Sequence, residues 1–162
     1  MSRGKIKFSR TKIQREISKS EDAKLKLASL ERTSKRLAFN FSFLTNDSRY
    51  SFENSHFDET VSKKLFIRLH DLSVVVKSKA FLMDKKHGIE KYSPTKKDDL
   101  YNKADHREFG KERRKMSGDD YFIFRLFPNN APIPCRVIGR IIDETFYVMF
   151  IDYEHELYAK RK

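Results

Sequence analysis

Cys135-Arg-Val-Ile-Gly-Arg-Ile-Ile-Asp-Glu-Thr-Phe-Tyr-Val-Met-Phe-Ile-Asp-Tyr-Glu-His-Glu-Leu-Tyr158 is the stretch that decides the fold. Two runs rich in β-branched and aromatic residues, 135–142 and 146–151, flank the polar triplet Asp143-Glu144-Thr145. That pattern predicts a β-hairpin with a three-residue turn. The second run is apolar at almost every position, as a strand covered on both faces requires. It ends abruptly in Asp152-Tyr-Glu-His-Glu-Leu-Tyr158, where titratable and aromatic side chains follow a buried strand. A rigid strand end of this kind is well placed to carry a site.

Working outward, Tyr121-Phe-Ile-Phe-Arg-Leu-Phe127 reads as a preceding strand. Pro128-Asn-Asn-Ala-Pro-Ile-Pro134 joins it to the hairpin as a loop, because proline donates no ladder hydrogen bond. The three segments 121–127, 135–142 and 146–152 are therefore expected as an antiparallel meander carrying Arg125, Arg136 and Arg140. Asp58 opens the strongest helical pattern in the chain. Val61, Leu65, Leu69, Leu72, Val76, Ala80 and Met83 recur three or four residues apart, with Gly88 as a stop. Val74-Val-Val76 interrupts this stripe with β-branched side chains, so one long helix or a broken pair is expected.

Leu37–Leu44 alternates, with Phe39, Phe41 and Phe43 on one face, and predicts a core strand. Thr45–Arg49 has turn chemistry, and Tyr50-Ser51-Phe52 is expected to return as a second strand. Ser20-Glu21-Asp22 signals a helix start, with the helix running to about residue 35. The expected organisation is a basic arm and helix over 1–36, followed by a single α+β domain over 37–162. Within that domain the meander packs on the amphipathic helix, and residues 85–118 form a basic, polar insertion.

Charge is distributed unevenly. The net charge of +12 arises from 12 Lys/Arg against 4 Asp/Glu in residues 1–36 and 11 against 6 in residues 85–118. The two apolar segments are close to neutral. Cationic appendages on a neutral core suit a polyanion, and RNA or another polyanion is the partner expected. Arg3, Lys5, Lys7, Arg10 and Lys12 in the arm, with Arg107, Arg113 and Arg114 in the insertion, are the candidate phosphate contacts. A single cysteine, Cys135, excludes a disulfide framework, and no run is apolar enough to span a bilayer. A cytoplasmic protein is expected, with no membrane association.

The familiar motifs of phosphate loops, zinc sites and serine nucleophiles are missing, and the five histidines are dispersed. No metal or cofactor is therefore expected. Chemistry that needs only side chains remains, namely RNA cleavage through the 2′-hydroxyl. It requires a proton acceptor, a proton donor and cations beside the phosphorane. His155 supplies an imidazole, Arg136 and Arg140 supply cations, and Tyr158 offers a ring and a hydroxyl.

A helix over 58–83 followed by strands over 121–158, with arginines in the strands and a His/Tyr pair near the end, resembles the RelE-type toxin fold. The resemblance implies a metal-independent endoribonuclease acting as a toxin or defence effector, with an antitoxin as protein partner. It assigns Arg136 and Arg140 to phosphate contacts, His155 to proton transfer and Tyr158 to substrate orientation. The chain is longer than that pattern, and its strand region is near neutral. Two alternatives stand beside it: a non-catalytic RNA- or DNA-binding protein, and a protein–protein interaction module with basic arms.

Overall fold

The computed structural model describes residues 35–102 and 109–158. Apart from Lys35 they belong to the unit spanning Arg36–Lys162. The architecture is α+β. A five-stranded mixed sheet is built from β1 (Ala38–Asn40), β2 (Ile89–Tyr92), β3 (Tyr121–Arg125), β4 (Arg136–Ile142) and β5 (Thr145–Asp152), in the order β1-β5-β4-β3-β2. Among the described residues, no helix is long and apolar enough to cross a membrane. Of the basic arm and helix expected over residues 1–36, residues 1–34 lie outside the described residues.

Strands β2 to β5 pair antiparallel in chain order, but β1 runs parallel to β5, so the sheet is not wholly antiparallel. The reason lies in the connection. More than a hundred residues separate the two strands, and such a crossover lets the chain return in the same direction. The turn between β4 and β5 is also shorter than expected. Ile142 pairs directly with Thr145, leaving Asp143 and Glu144 as the turn, with Asp143 at φ 51°. A short polar residue tolerates that left-handed conformation, which is why Asp rather than a β-branched residue stands there.

The helix breaks at the valines. α1 (Glu59–Val74) starts where the Asp58 side chain accepts from the Val61 N–H at 2.8 Å, and α2 (Lys77–Leu82) follows. Val75 and Val76 between them are extended, and Val76 forms a bridge with Arg36. The stripe nevertheless faces the sheet: Val61, Leu65, Leu72 and Ala80 are buried against Phe124, Val137, Val148 and Ile151, with Leu69 half-buried beside them. Each buried valine or leucine of the stripe contributes about 1.5–3 kcal/mol of transfer free energy.

The opposite face is covered as well, by Phe43, Tyr50, Leu100, Phe109 and Leu157 over Ile123, Ile138 and Met149. With cover on both sides, every residue of β4 is buried. The phenylalanines of the Leu37–Leu44 stretch do not share one face. Only residues 38–40 form a strand, so Phe39 and Phe41 join the helix-side core while a turn carries Phe43 to the other. Tyr50 lies in a short 3-10 turn (Ser48–Tyr50) rather than in a strand.

Residues 85–118 contribute elements of their own. β2 extends the sheet beside β3, and α3 (Asp99–Asn102) and α4 (Lys111–Ser117) follow. The strand escapes a periodicity reading because it is four residues long and carries Glu90 and Lys91 at its centre. Gly88 precedes it and does not end a helix. A Cβ there would lie 2.6 Å from the Ala80 carbonyl, so close packing on α2 is what requires glycine.

Candidate anion-binding cleft

Sheet register brings charges together. Arg125 on β3 stands directly opposite Arg136 on β4, and Arg136 stands opposite Asp152 on β5. Like charges across a strand pair repel, and both arginines are largely withdrawn from water. Around them Lys85, Glu90, Lys91, Tyr92, Asn130, Pro134, His155 and Tyr158 complete a cleft of about 470 Å³. Such a volume falls within the range of small-ligand sites.

The two guanidiniums are held differently. Arg136 donates through Nη1 to the carbonyls of Pro134 and Cys135, both at 3.1 Å, and through Nη2 to Asn130 Oδ1 at 2.6 Å. It is a fixed charge at the floor of the cleft. Arg125 has no such cradle. Its Nε is buried without a hydrogen-bond partner, and the nearest carboxylate oxygen, on Glu90, is 3.9 Å away. Glu90 also lies 3.6 Å from Lys85 Nζ. Neither contact is a hydrogen bond. Lys91, by contrast, is paired with Asp120 at 2.7 Å, and that contact, helped by the Ser93 hydroxyl, holds the Asp120 carboxyl below its ordinary range.

Helix α1 braces this side of the cleft from the other face of the sheet. Arg68, itself buried, donates through Nε to the carbonyl of Arg125 at 3.1 Å and through Nη2 to that of His87 at 2.9 Å. The backbone on which Arg125 stands is therefore fixed even though its side chain is not. A cation tethering two carbonyls contributes about 1.5–3 kcal/mol per hydrogen bond.

The segment that forms the far wall is held in shape by Asp152. Its carboxylate has no exposed surface and accepts the backbone N–H groups of Glu156 at 2.9 Å and Leu157 at 3.0 Å. Residues 153–157 wrap around it, with His155 in the left-handed region at φ 60°. Burial pushes the Asp152 carboxyl above its ordinary value, against the opposing pull of these N–H groups and of Arg136. The loop turns His155 and Tyr158 into the cleft, their rings 4.5 Å apart edge-to-face, with Tyr92 4.7 Å beyond Tyr158. Burial pushes the Tyr158 phenol up to about 12, and the neighbouring Arg136 guanidinium opposes that shift.

Of the four side chains singled out for chemistry, Arg136, His155 and Tyr158 therefore line one cleft. Arg140 does not. Gly139 pairs with Val148 while Ile138 pairs with Phe150, so the extra residue of the irregularity is Met149 on β5. β4 keeps its alternation, and Arg136 and Arg140 share a face. Arg140 is nevertheless fully buried, with Nη1 donating to the Gly118 carbonyl and its guanidinium 4.3 Å above the Tyr121 ring. Phe109 closes over it at 5.8 Å. A four-residue spacing in a strand sets the face, but what covers that face comes from the α4 segment.

Arg113 and Arg114 are on α4, away from the cleft lining. Arg113 stacks 4.5 Å over the Phe43 ring, and Arg114 pairs with Asp119 at 3.2 Å. Arg3, Lys5, Lys7, Arg10, Lys12 and Arg107 lie outside the described residues. Cys135 is fully buried and its thiol is pushed up to about 12 by that burial, so it packs as a small apolar group. Sequence pattern does not mark Lys85, Glu90, Tyr92, Arg125 or Asn130 as cleft residues. Only Arg125 carries a signal, as a charge within an apolar strand; the others are gathered by the pairing of β2 and the loop after β3, which periodicity does not reveal. No protein-family model, no curated protein and no solved structure matches this chain, so the assignment rests on the geometry of the cleft.

Proposed function

We propose that the protein binds RNA and that the cleft beside β3 and β4 receives one of its phosphate groups. One observation carries this reading: two arginines are set opposite each other in a half-enclosed cleft, and the Nε of one is buried without a partner. An oxyanion between them would relieve the repulsion and satisfy that donor at once, with charge-assisted hydrogen bonds about twice as strong as neutral ones. Lys85 adds an exposed third cation at the rim, and the rings of His155 and Tyr158 form a wall against which a base can stack. The basic arm over 1–36 supplies further charge for the strand outside the cleft.

Cleavage is a second reading, favoured by the placing of His155, Arg136 and Tyr158 in one cleft. In it, as in the RelE-type pattern, His155 takes the proton of the 2′-hydroxyl and the 2′-oxygen attacks phosphorus. The 5′-oxygen leaves and takes a proton from water, while Arg125 and Arg136 offset the charge on the phosphorane. Arg125 then takes the place that the resemblance gives to Arg140.

Binding is tested by fluorescence anisotropy with a labelled single-stranded RNA across a salt series. Arg125→Gln and Lys85→Gln should each weaken binding by about tenfold and reduce the slope of log K against log salt by about 0.7. Circular dichroism monitors the fold. If both folded variants bind as the parent does, the cleft is not the phosphate site. The same RNA, incubated with saturating protein and resolved on a gel, separates the two readings: cleavage that His155→Ala abolishes at saturation supports catalysis, and intact RNA leaves binding alone.

A further inference from the structure

Among the described residues lining the cleft, Glu90 is the only carboxylate, and its oxygens face two of the cleft's cations, Lys85 and Arg125. Its two oxygens lie 3.6 Å from Lys85 Nζ and 3.9 Å from Arg125 Nε, close enough to neutralise these cations and too far to hydrogen-bond them. The pairing is consequently weak and displaceable. An arriving phosphate must compete with it. An internal phosphodiester brings one negative charge, the same as Glu90, so exchanging one for the other gains little electrostatically. A phosphomonoester brings about −1.5 to −2 and three acceptor oxygens at neutral pH. Lys85, Arg125 and Arg136 offer three cations to match.

Size argues the same way. The cleft of about 470 Å³ is of the size of one nucleotide-sized group, which suits the end of a strand. We infer that the cleft recognises the terminal phosphomonoester of an RNA strand, and that Glu90 sets this preference by occupying the site until a more highly charged group displaces it. The inference rests on the proposed RNA-binding reading and narrows it to strand ends.

The experiment compares three labelled RNAs of one short sequence, ending in 5′-phosphate, in 3′-phosphate or in hydroxyls only, with the full chain and its Glu90→Gln and Arg125→Gln variants. At least one phosphorylated form should bind about tenfold or more tightly than the hydroxyl form, and Arg125→Gln should remove the advantage. Glu90→Gln should tighten binding of the hydroxyl form and so narrow the ratio. The side chain of Glu90 is partly exposed at the cleft and holds no backbone, so the variant is expected to fold. Equal affinity for all three RNAs, or a ratio untouched by Glu90→Gln, overturns the inference. RNA binding that still depends on Arg125 but ignores end chemistry would leave the broader function standing, whereas absence of RNA binding would remove both. A nucleoside 5′-monophosphate that displaces the labelled strand at equal concentration would overturn the strand-end assignment in favour of a free nucleotide.

Discussion

Asp152 shows how one side chain fixes the geometry of several others. A buried carboxylate that accepts the N–H groups of Glu156 and Leu157 shapes the whole segment that presents His155 and Tyr158. The same burial costs stability, because it raises the carboxyl above its ordinary value. The sign follows from linkage. The unfolded state loses this proton first, so stability falls as pH rises from the ordinary carboxyl range through the raised folded value. Asp152→Asn removes the titration but surrenders one of the two N–H acceptors. Urea unfolding at about pH 4 to 7 should show the wild type losing stability relative to Asp152→Asn with rising pH. A constant gap across that range would mean that Asp152 is not buried as a charge.

Strand β4 decides where the arginines go, and its contact with β5 depends on Gly139. A Cβ at that position would lie 2.1 Å from the Tyr147 carbonyl oxygen and 2.6 Å from a Phe146 ring carbon. The first of these is backbone within the sheet and has nowhere to move. Gly139→Ala should therefore cost about 3–5 kcal/mol or prevent folding, well beyond an ordinary surface change. The midpoint of a urea titration measures it, and near-parental stability would show that β4 and β5 approach less closely than described. Helix α1 plays the complementary part from the other face, where Arg68 links it to the carbonyl beneath Arg125. Core packing and cleft geometry thus share a residue.

Taken as a whole, the chain joins a cationic N-terminal region to a domain whose cleft gathers several positive side chains. The two are expected to contribute differently. In the proposed binding, the arm's Lys/Arg residues would provide attraction that is blind to sequence and sensitive to salt, whereas the cleft would provide a shaped contact. Deleting residues 1–19 should weaken binding of unrelated RNAs by similar factors and flatten the dependence of log K on log salt. Binding that keeps its affinity and slope after the deletion would leave the arm without a part in recognition.

Much of the fold is legible in local pattern. The helix start at Asp58, its apolar stripe, the valine break and the apolar runs of β4 and β5 each follow from side-chain period and stereochemistry, which act over a few residues. Arg136, His155 and Tyr158 stand out because polar groups adjoin a buried strand. Other features depended on contacts far apart in the chain. The parallel pairing of β1, the recruitment of β2 from a polar stretch, and the division of Phe39 and Phe43 between two cores are of this kind. So is the fate of Arg140, whose face the strand period sets and whose burial Gly118 and Phe109 impose. Period specifies which way a side chain points; only the packed chain determines whether water, a carboxylate or an aromatic ring meets it there.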